Sequence, residues 1–447
     1  MKNPTLIKNA NIINEGKNFV ADVLIEDGII SKIGRVSLSE NYQIIDAKGK
    51  HLFPGIIDAH VHFRDPGLTH KGDFHSESKA AVAGGITSYF DMPNTKANVL
   101  THFLLQQKSE YAAKTSLANY SLFMGVGDNN LNMVANTHLK NTCGFSDDGI
   151  TFPLWGNLIS GNAEYLDQVF SQIKGILAIH SEDDATVERN TKHFNEIYKE
   201  QIPVECHPLI RSEQACFIAT EKAIALAEKH NTRLHILHLS TAKEAALFRN
   251  DIPLSVKKIT TEVCIHHLWF CDDDYKTLGS KIKWNPAIKT KTDREELWKA
   301  LLDDRIDIIV TDHAPHTLKE KGNNYMKCPS GAPMVQHALP AMLEFYHQGK
   351  ITLEKITEKM CHNPALLYNI KKRGFIREGY YADLVLVDLK SPWTVTHENI
   401  LYKCGWSPFE GQTFQSQITH TFVNGNLVYD NGTFNEFIPG QRIEFNH

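Results

Sequence analysis

The chain has 447 residues, a formal net charge of -5 at pH 7, and acidic and basic side chains interspersed along its length. This balance gives no basis for binding nucleic acid or an anionic membrane, and it favours small solutes as partners. No uncharged run approaches the roughly 20 apolar residues of a membrane span, and the N-terminus lacks the charged-then-apolar pattern of a signal peptide. We therefore expect a cytoplasmic protein with one large α/β domain and an appendage.

Short strands with turns dominate both ends of the chain. The N-terminal end contains apolar runs such as Ala21–Ile25 without a helical period, and similar runs return at Ala382–Val387 and Thr419–Val423. The two ends therefore predict one small β domain, built from residues 1–53 and 370–447. Residues 54–369 would be a second domain inserted between them.

The middle of the chain alternates candidate strands with helical stretches about eight times. Amphipathic stretches such as Arg211–His230 and Asp293–Asp304 separate the apolar runs. We predict strands at residues 55–63, 86–92, 118–126, 142–147, 176–180, 233–239, 259–266 and 306–312. Eight such units indicate a closed (β/α)8 TIM barrel, whose catalytic groups lie at the C-terminal ends of the strands.

Five side chains of the kinds that bind metal ions fall at the ends of these strands. His60 and His62 share one face of the first strand, because side chains alternate with period two. His180, His238 and Asp312 each end a later apolar run. A single histidine is more often an ordinary core or surface residue, but this set shares one end of successive strands. Such a cluster is costly to bury unless ions or hydrogen bonds satisfy it, so we predict a metal site.

Four motifs resemble those of the amidohydrolase superfamily. They are Pro54-Gly55-Ile56-Ile57-Asp58-Ala59-His60-Val61-His62, Gly84-Gly85-Ile86-Thr87, Met92-Pro93-Asn94-Thr95 and Thr311-Asp312-His313-Ala314-Pro315-His316. Within that superfamily the chain is similar to the bacterial-type dihydroorotases over nearly its whole length. The resemblance implies a distorted (β/α)8 barrel with a small β-sandwich domain formed by both termini. It also implies interconversion of L-dihydroorotate and N-carbamoyl-L-aspartate in de novo pyrimidine (UMP) biosynthesis.

The fourth strand bears on the subtype. Related hydantoinases and allantoinases, and some dihydroorotases, bridge two zinc ions with a carboxylated lysine at this strand end. Here the corresponding segment is Cys143-Gly144-Phe145-Ser146-Asp147-Asp148-Gly149, which has no lysine. The chain resembles the dihydroorotases that use an aspartate bridge, and the matching position is Asp148. Asp147 is the competing position, since a strand end aims only one of two neighbours inward.

The resemblance also implies a place for each metal ligand. His60, His62 and Asp312 would hold one Zn²⁺ ion, His180 and His238 a second, and Asp148 would bridge the two. Imidazole and carboxylate ligands without a thiolate suit a catalytic zinc site. Two zinc ions sharing a water would supply hydroxide as the nucleophile. Asp312 is the expected proton shuttle between that hydroxide and the amide nitrogen, with a purely structural ligand as the alternative.

Substrate choice depends on residues beyond the metal ligands. A guanidinium matches the carboxylate of dihydroorotate with paired hydrogen bonds, and Arg64 occupies the position where the resembled family binds it. Asn94, Asn285 and His316 match other substrate contacts of that family. Hydantoinases and allantoinases do not carry this arginine as a rule, because their substrates lack that carboxylate arrangement.

Two segments depart from the family pattern. After the Asn285-Pro286 pair many relatives continue Pro-Leu-Arg, where this chain has Ala287-Ile288-Lys289. Many also carry Pro-Phe-Gly after the eighth strand, where this chain has Cys328-Pro329-Ser330-Gly331. The second of these loops is expected to contact the substrate ring. The segment Leu318–Cys328 before it is a candidate mobile loop over the site.

Two other functions stand as alternatives. An allantoinase- or hydantoinase-type cyclic amidase is favoured by Thr69–Phe74 and by Asp91-Met92-Pro93, which resemble allantoinases. An inactive scaffold for aspartate carbamoyltransferase is the other, but inactive relatives lose metal ligands, and this chain keeps every one that can be matched. The resemblance is also compatible with a homodimer and with aspartate carbamoyltransferase as a partner.

Overall fold

The computed structural model describes residues 3–154, 156–436 and 438–446 of the chain. Its strands are β1 (Thr5–Asn14), β2 (Lys17–Glu26), β3 (Ile29–Gly34), β4 (Gln43–Asp46), β5 (His51–Pro54), β6 (Ile56–Val61), β7 (Ile86–Asp91), β8 (Asn119–Gly125), β9 (Gly144–Ser146), β10 (Ile176–Ile179), β11 (Arg233–Ile236), β12 (Ile259–Cys264), β13 (Ile308–Val310), β14 (Leu384–Asp388), β15 (Trp393–Thr394), β16 (Thr413–Phe414), β17 (Gln417–Val423), β18 (Asn426–Asp430) and β19 (Thr433–Phe434). Its α-helices are α1 (Phe74–Ala83), α2 (His102–Thr115), α3 (Leu131–Ala135), α4 (Ala163–Gln172), α5 (Asp184–Tyr198), α6 (His207–Ile210), α7 (Glu213–His230), α8 (Ala242–Ala245), α9 (Ile265–Trp269), α10 (Tyr275–Leu278), α11 (Lys291–Leu302), α12 (Leu318–Lys321), α13 (Ala338–His347), α14 (Leu353–Thr357) and α15 (Asn363–Leu367).

Eight parallel strands form the central sheet, in the order β6-β7-β8-β9-β10-β11-β12-β13. The two edges of this sheet meet through a bridge between Val61 and His313, where the N–H of His62 donates to the carbonyl of His313 at 2.7 Å. The sheet is therefore closed into a barrel. Each of the eight predicted strands overlaps one of these eight, so the predicted (β/α)8 fold class is confirmed. The seventh ends earlier than predicted, because residues 265–269 turn into α9.

Strands from both ends of the chain share a nine-stranded mixed sheet. Its order is β19-β18-β17-β14-β5-β1-β2-β3, with β4 beside β1. β5 leads directly into the first barrel strand and pairs antiparallel with β14, so that Leu52 lies opposite Leu386. Both leucines belong to a buried aliphatic layer that also includes Ile7, Ile12 and Leu384. The chain therefore leaves this sheet for the barrel after β5 and returns to it at β14.

The interior of the barrel is apolar below the rim that carries the predicted ligands. Side chains from five strands pack there with two from the end of the chain: Ala59, Phe90, Phe123, Ala178, Val310, Ile443 and Phe445. The N–H of Ile443 donates to the carbonyl of Tyr120, near the start of β8, at 2.9 Å. Residues 443–445 thus lie at the N-terminal end of the barrel strands, and the opposite end is left free for chemistry.

Side-chain caps fix the starts of helices around the barrel. Ser212 accepts the N–H of Ala215 at 3.3 Å at the start of α7. Before α11, Thr290 and Asp293 exchange hydrogen bonds between side chain and backbone, at 3.1 and 3.2 Å. In the three described ranges, none of the helices combines the length and apolar character needed to cross a membrane.

Candidate metal centre and substrate cavity

The six predicted metal ligands meet at the C-terminal end of the barrel. His60 lies in β6 and His62 just after it, while Asp148, His180, His238 and Asp312 follow β9, β10, β11 and β13. All six residues are buried, at 6% exposure or less. Because the ends of parallel strands form one rim, residues that are far apart in the sequence come together there.

Asp148 stands between two pairs of histidines. Its Oδ2 lies 3.3 Å from Nε2 of His60 and 3.1 Å from Nε2 of His62. Its Oδ1 lies 3.4 Å from Nδ1 of His180 and 3.9 Å from Nε2 of His238. One carboxylate oxygen therefore faces each pair, which is the arrangement that a bridge between two ions requires.

Asp312 joins the first pair of histidines. Its Oδ1 lies 3.1 Å from Nε2 of His62 and 3.5 Å from Nε2 of His60. Within each histidine pair, the ligand atoms and one Asp148 oxygen all lie within 4.8 Å of one another. The donor set of four imidazoles and two carboxylates fits a pair of divalent ions such as Zn²⁺.

Glu262 in β12 anchors the first histidine from behind. Its Oε1 accepts hydrogen bonds from Nδ1 of His60 at 2.6 Å and from the N–H of His238 at 3.1 Å, and its Oε2 accepts from Nε2 of His235 at 3.0 Å. Burial acts to raise the pKa of Glu262, but the charge of His60 and the hydrogen bond from His235 hold that pKa below its ordinary range. The ionised carboxylate fixes the ring of His60 with its other nitrogen toward Asp148.

Two more polar side chains orient the rings of His62 and His180. Nδ1 of His62 donates to Oδ1 of Asn94 at 2.7 Å. Nε2 of His180 donates to Oε2 of Glu182 at 2.8 Å, and the same oxygen pairs with Arg211. Fixing the outer nitrogen in this way selects the tautomer whose inner nitrogen can bind a metal.

The neighbouring aspartates at the end of β9 differ in orientation. Burial acts to raise the pKa of Asp148, but hydrogen bonds with His180 and the other facing histidines hold it well below its ordinary value. Asp147 instead accepts the N–H groups of His180 at 2.9 Å and Leu158 at 3.1 Å. Burial raises the pKa of Asp147 to about 7. Of the two, Asp148 faces the histidine pairs and Asp147 fixes the backbone behind them.

Three residues of the site have left-handed backbone conformations. The φ angle is 69° at Arg64, 37° at His238 and 46° at Asp312. Such a conformation costs a non-glycine residue about 1–3 kcal/mol and persists only where the surrounding structure enforces it. Left-handed residues therefore follow three barrel strands at this rim. Backbone strain of this kind is typical of functional sites, where it fixes the direction of a side chain.

A cavity of about 320 Å³ opens beside the predicted ligands. Its lining includes eight of the ten predicted site residues, namely His62, Arg64, Asn94, Asp148, His180, Asn285, Asp312 and His316. The other two, His60 and His238, contact Asp148 from below the cavity. A volume of this size suits a small polar molecule.

Arg64 places a buried positive charge at the wall of this cavity. The residue is 7% exposed, its Nε donates to the carbonyl of Pro315 at 3.2 Å, and its Nη2 lies 3.1 Å from Nε2 of His316. Among the described residues, no carboxylate oxygen lies within 4.0 Å of a guanidinium nitrogen of Arg64, so it forms no ion pair. The charges of Asp312 and Asp91 act on the guanidinium only from beyond contact distance. Because no carboxylate touches it, this buried guanidinium is suited to bind an anionic group of a ligand.

His316 and Asn285 present polar groups to the same space. Nε2 of His316 lies 3.0 Å from the carbonyl oxygen of Ser330, and its Nδ1 lies 2.9 Å from Nζ of Lys71. Oδ1 of Asn285 is buried and, within the described part of the chain, has no hydrogen-bond partner. Because a buried acceptor left unpaired costs about 1–3 kcal/mol, a ligand N–H at this position would be favoured.

Sequence reasoning missed three residues that support the centre. Glu262 could have been identified from the sequence, because a carboxylate inside the apolar run of β12 is unfavourable to bury and therefore indicates a functional role. Glu182, two residues after His180, carried the same kind of signal. Arg211 could not have been identified in this way, since its ion pair with Glu182 is formed only in the folded chain.

Comparisons with known proteins identify relatives over nearly the whole chain. A model described as the Amidohydrolase family matches residues 51–428. The dihydroorotase of Pyrococcus furiosus is 32% identical over 419 residues, covering 94% of this chain and 91% of the relative. The dihydroorotase of Lactococcus lactis subsp. lactis is 34% identical over 433 residues, covering 95% of this chain and 99% of the relative.

Solved structures show the same fold. L-hydantoinase (dihydropyrimidinase) from Arthrobacter aurescens has a TM-score of 0.92 at 24% identity, covering 98% of this chain and 99% of that one. Dihydropyrimidinase from Brevibacillus agri has a TM-score of 0.87 at 23% identity, covering 98% of each chain. At these identities the likeness speaks for the fold alone.

Proposed function

The chain belongs to the amidohydrolase family and is a hydrolase acting on cyclic amides, and we propose that it is a zinc-dependent dihydroorotase. Its substrate pair would be L-dihydroorotate and N-carbamoyl-L-aspartate, in de novo pyrimidine biosynthesis. The names of the relatives support this assignment, and so does the chemistry of the cavity.

The observation that carries the proposal is the position of Arg64. Its buried guanidinium lies at the wall of the cavity that Asp148 and Asp312 also line, and no carboxylate of the described residues forms an ion pair with it. A cyclic amide with a carboxylate on the ring would place that carboxylate in direct contact with Arg64 while its amide bond lies at the predicted metal centre. Hydantoin and dihydrouracil rings lack that carboxylate.

Two Zn²⁺ ions would be held by the residues assigned above, with Asp148 between them. Bound there, they would polarise the amide carbonyl and lower the pKa of water toward neutrality. The protein contributes fixed geometry, because Glu262, Asn94 and Glu182 hold the outer nitrogens of His60, His62 and His180 before any ligand arrives.

Asp312 would act as general base and then as general acid. During ring opening, water adds to the amide carbonyl carbon and loses a proton to the Asp312 carboxylate. The carbon–nitrogen bond of the ring then breaks, and the departing nitrogen takes that proton from Asp312. Ring closure runs through the same groups in reverse.

The other cavity residues would bind and orient the substrate. Arg64 and His316 contact each other at 3.1 Å and would both lie against the carboxylate, with the guanidinium of Arg64 as hydrogen-bond donor. The unpaired Oδ1 of Asn285 would accept a ring N–H. Asn94 would reach the substrate from the side of His62, to which it is already bonded.

Turnover by the zinc-loaded protein tests the assignment. L-Dihydroorotate, N-carbamoyl-L-aspartate, hydantoin, dihydrouracil and allantoin would be assayed side by side, with enzyme stripped by a chelator and reloaded with Zn²⁺ as control. We expect zinc-dependent turnover of the first two compounds only. Turnover confined to the uncharged rings would refute the assignment and favour a hydantoinase. Zinc-loaded protein that turns over none of the five would favour a scaffold.

A further inference from the structure

A buried lysine forms hydrogen bonds with the backbone of the loop that follows the eighth barrel strand. Lys321 ends the short helix α12 and is 1% exposed, although lysine is rarely buried. Its Nζ donates to three backbone carbonyls, those of Lys283 at 3.2 Å, Pro329 at 3.0 Å and Gly331 at 2.9 Å. The three donors of one ammonium thus have three acceptors, which is the full capacity of the group.

A second buried lysine holds the same loop from the other side. Nζ of Lys283, a residue that is 7% exposed, donates to the carbonyls of Tyr325 at 3.1 Å and Cys328 at 2.5 Å, and it lies 4.5 Å from the centre of the Tyr325 ring. The N–H of Gly331 donates back to the carbonyl of Lys283 at 2.8 Å. Two ammonium groups are therefore buried against the carbonyls of one loop.

Burying two ammonium groups is a large cost for a loop that only connects two elements. Burial disfavours the charged form and lowers the pKa of Lys321 to about 7, and here neutral carbonyls rather than carboxylates offset that cost. No acidic side chain among the described residues forms an ion pair with either lysine. The hydrogen bonds all end on backbone atoms, so their effect is to fix the path of the chain.

The loop segment that these two lysines hold reaches the wall of the cavity. Ser330 and Gly331 line it, and the carbonyl oxygen of Ser330 lies 3.0 Å from Nε2 of His316. His316 in turn lies 3.1 Å from Nη2 of Arg64. A continuous set of contacts therefore runs from Lys321 through residues 329–331 to His316 and Arg64.

We propose that Lys321 and Lys283 are positioning residues for the anion-binding part of the cavity. They make residues 328–331 a permanent wall, which holds His316 and Arg64 ready before the substrate arrives and does not close over it as a lid. The part of this inference that concerns the substrate carboxylate rests on the proposed dihydroorotase function. The part that concerns the fixed wall does not.

Replacement of Lys321 by methionine is the first test. Lys321→Met keeps an unbranched side chain that is one atom shorter and removes the three donors, and Lys327→Met is the matched control, because Lys327 is exposed in the same loop. Misplacement of a binding group by about 1 Å can cost 100-fold, so we expect KM for L-dihydroorotate to rise about 10- to 100-fold. We expect kcat and bound zinc to change less than about threefold, since the metal ligands are untouched. A KM equal to that of Lys327→Met would overturn the proposal, as would a fall in kcat alone.

Hydrogen exchange in the unaltered, zinc-loaded protein keeps the inference testable if Lys321→Met does not fold. We expect slow exchange at the amides of Cys328 and Gly331 both with and without L-dihydroorotate, because both amides already donate to backbone carbonyls. Fast exchange across 321–331 that slows only when the ligand binds would show a lid and refute the fixed wall. If the unaltered enzyme does not turn over dihydroorotate, the proposed function fails, and the exchange rates still decide whether the wall is fixed.

Discussion

Replacement of Glu262 by glutamine would test whether a carboxylate behind the metal centre sets its affinity. The change keeps the size of the side chain and removes its charge. Glu262 now accepts hydrogen bonds from the rings of His60 and His235 and from the N–H of His238. Glutamine has only one acceptor oxygen, and its amide group cannot accept a ring N–H, so at least one of these bonds is lost.

The size of the effect follows from the burial of the bond to His60. A hydrogen bond to a charged group contributes about 1.5–3 kcal/mol, and loss of such a partner of a metal-binding histidine typically costs 10- to 100-fold in metal affinity. The His60 bond is short, at 2.6 Å, and both side chains are fully buried. We therefore expect zinc affinity to fall toward the 100-fold end, which corresponds to about 2.7 kcal/mol.

Zinc content after dialysis against graded zinc buffers measures this loss. Glu244→Gln is the control, because Glu244 is also buried but accepts hydrogen bonds from Thr220 and Thr241 rather than from a predicted ligand. We expect weaker zinc retention in Glu262→Gln only. Equal retention by the unaltered protein and both variants would refute the idea that Glu262 holds His60 for metal binding.

Two further predictions concern substrate choice and pH. Arg64→Met should lower kcat/KM for L-dihydroorotate by about 10- to 150-fold, because a charged hydrogen bond of about 1.5–3 kcal/mol is lost, and bound zinc should stay unchanged. Steady-state kinetics with elemental analysis measures both, and an unchanged kcat/KM would contradict the role of Arg64. Burial raises the pKa of Glu244 to about 7, so its contribution to stability is complete below the unfolded pKa of about 4.3 and is lost as pH rises through 7. In urea unfolding of metal-free proteins, the unaltered chain should therefore lose about 2–3 kcal/mol more than Glu244→Gln between pH 5 and pH 8, and equal losses would contradict this pKa shift.

The barrel and its rim were predictable because both depend on local patterns. Apolar runs of four to eight residues that alternate with amphipathic stretches predict parallel strands wherever the chain later places them. Polar residues such as His180 and Asp312, at the ends of such runs, must share one rim once the strands close into a barrel. Prediction of the cluster therefore needed no knowledge of long-range contacts.

Contacts made across the barrel were not predictable in the same way. Glu262 and His60 are separated by 202 positions, and no local rule pairs them. The loop after the eighth strand shows the same limit. Its polar sequence favours a mobile segment, but Lys321 is buried against carbonyls that only the folded chain brings within reach. A lysine in a sequence ordinarily predicts an exposed side chain. Burial of Lys321 depends on backbone acceptors whose positions cannot be read from the sequence.

The glycine after Asp148 lies against Asn94, the residue that orients His62. Gly149 has a φ of 65°, and a Cβ atom there would lie 2.0 Å from Nδ2 of Asn94. Asn94 has little freedom to move, because its Oδ1 holds the ring of His62 at 2.7 Å. Gly149 therefore leaves room for the Asn94 amide, and a side chain at this position would displace the group that orients His62.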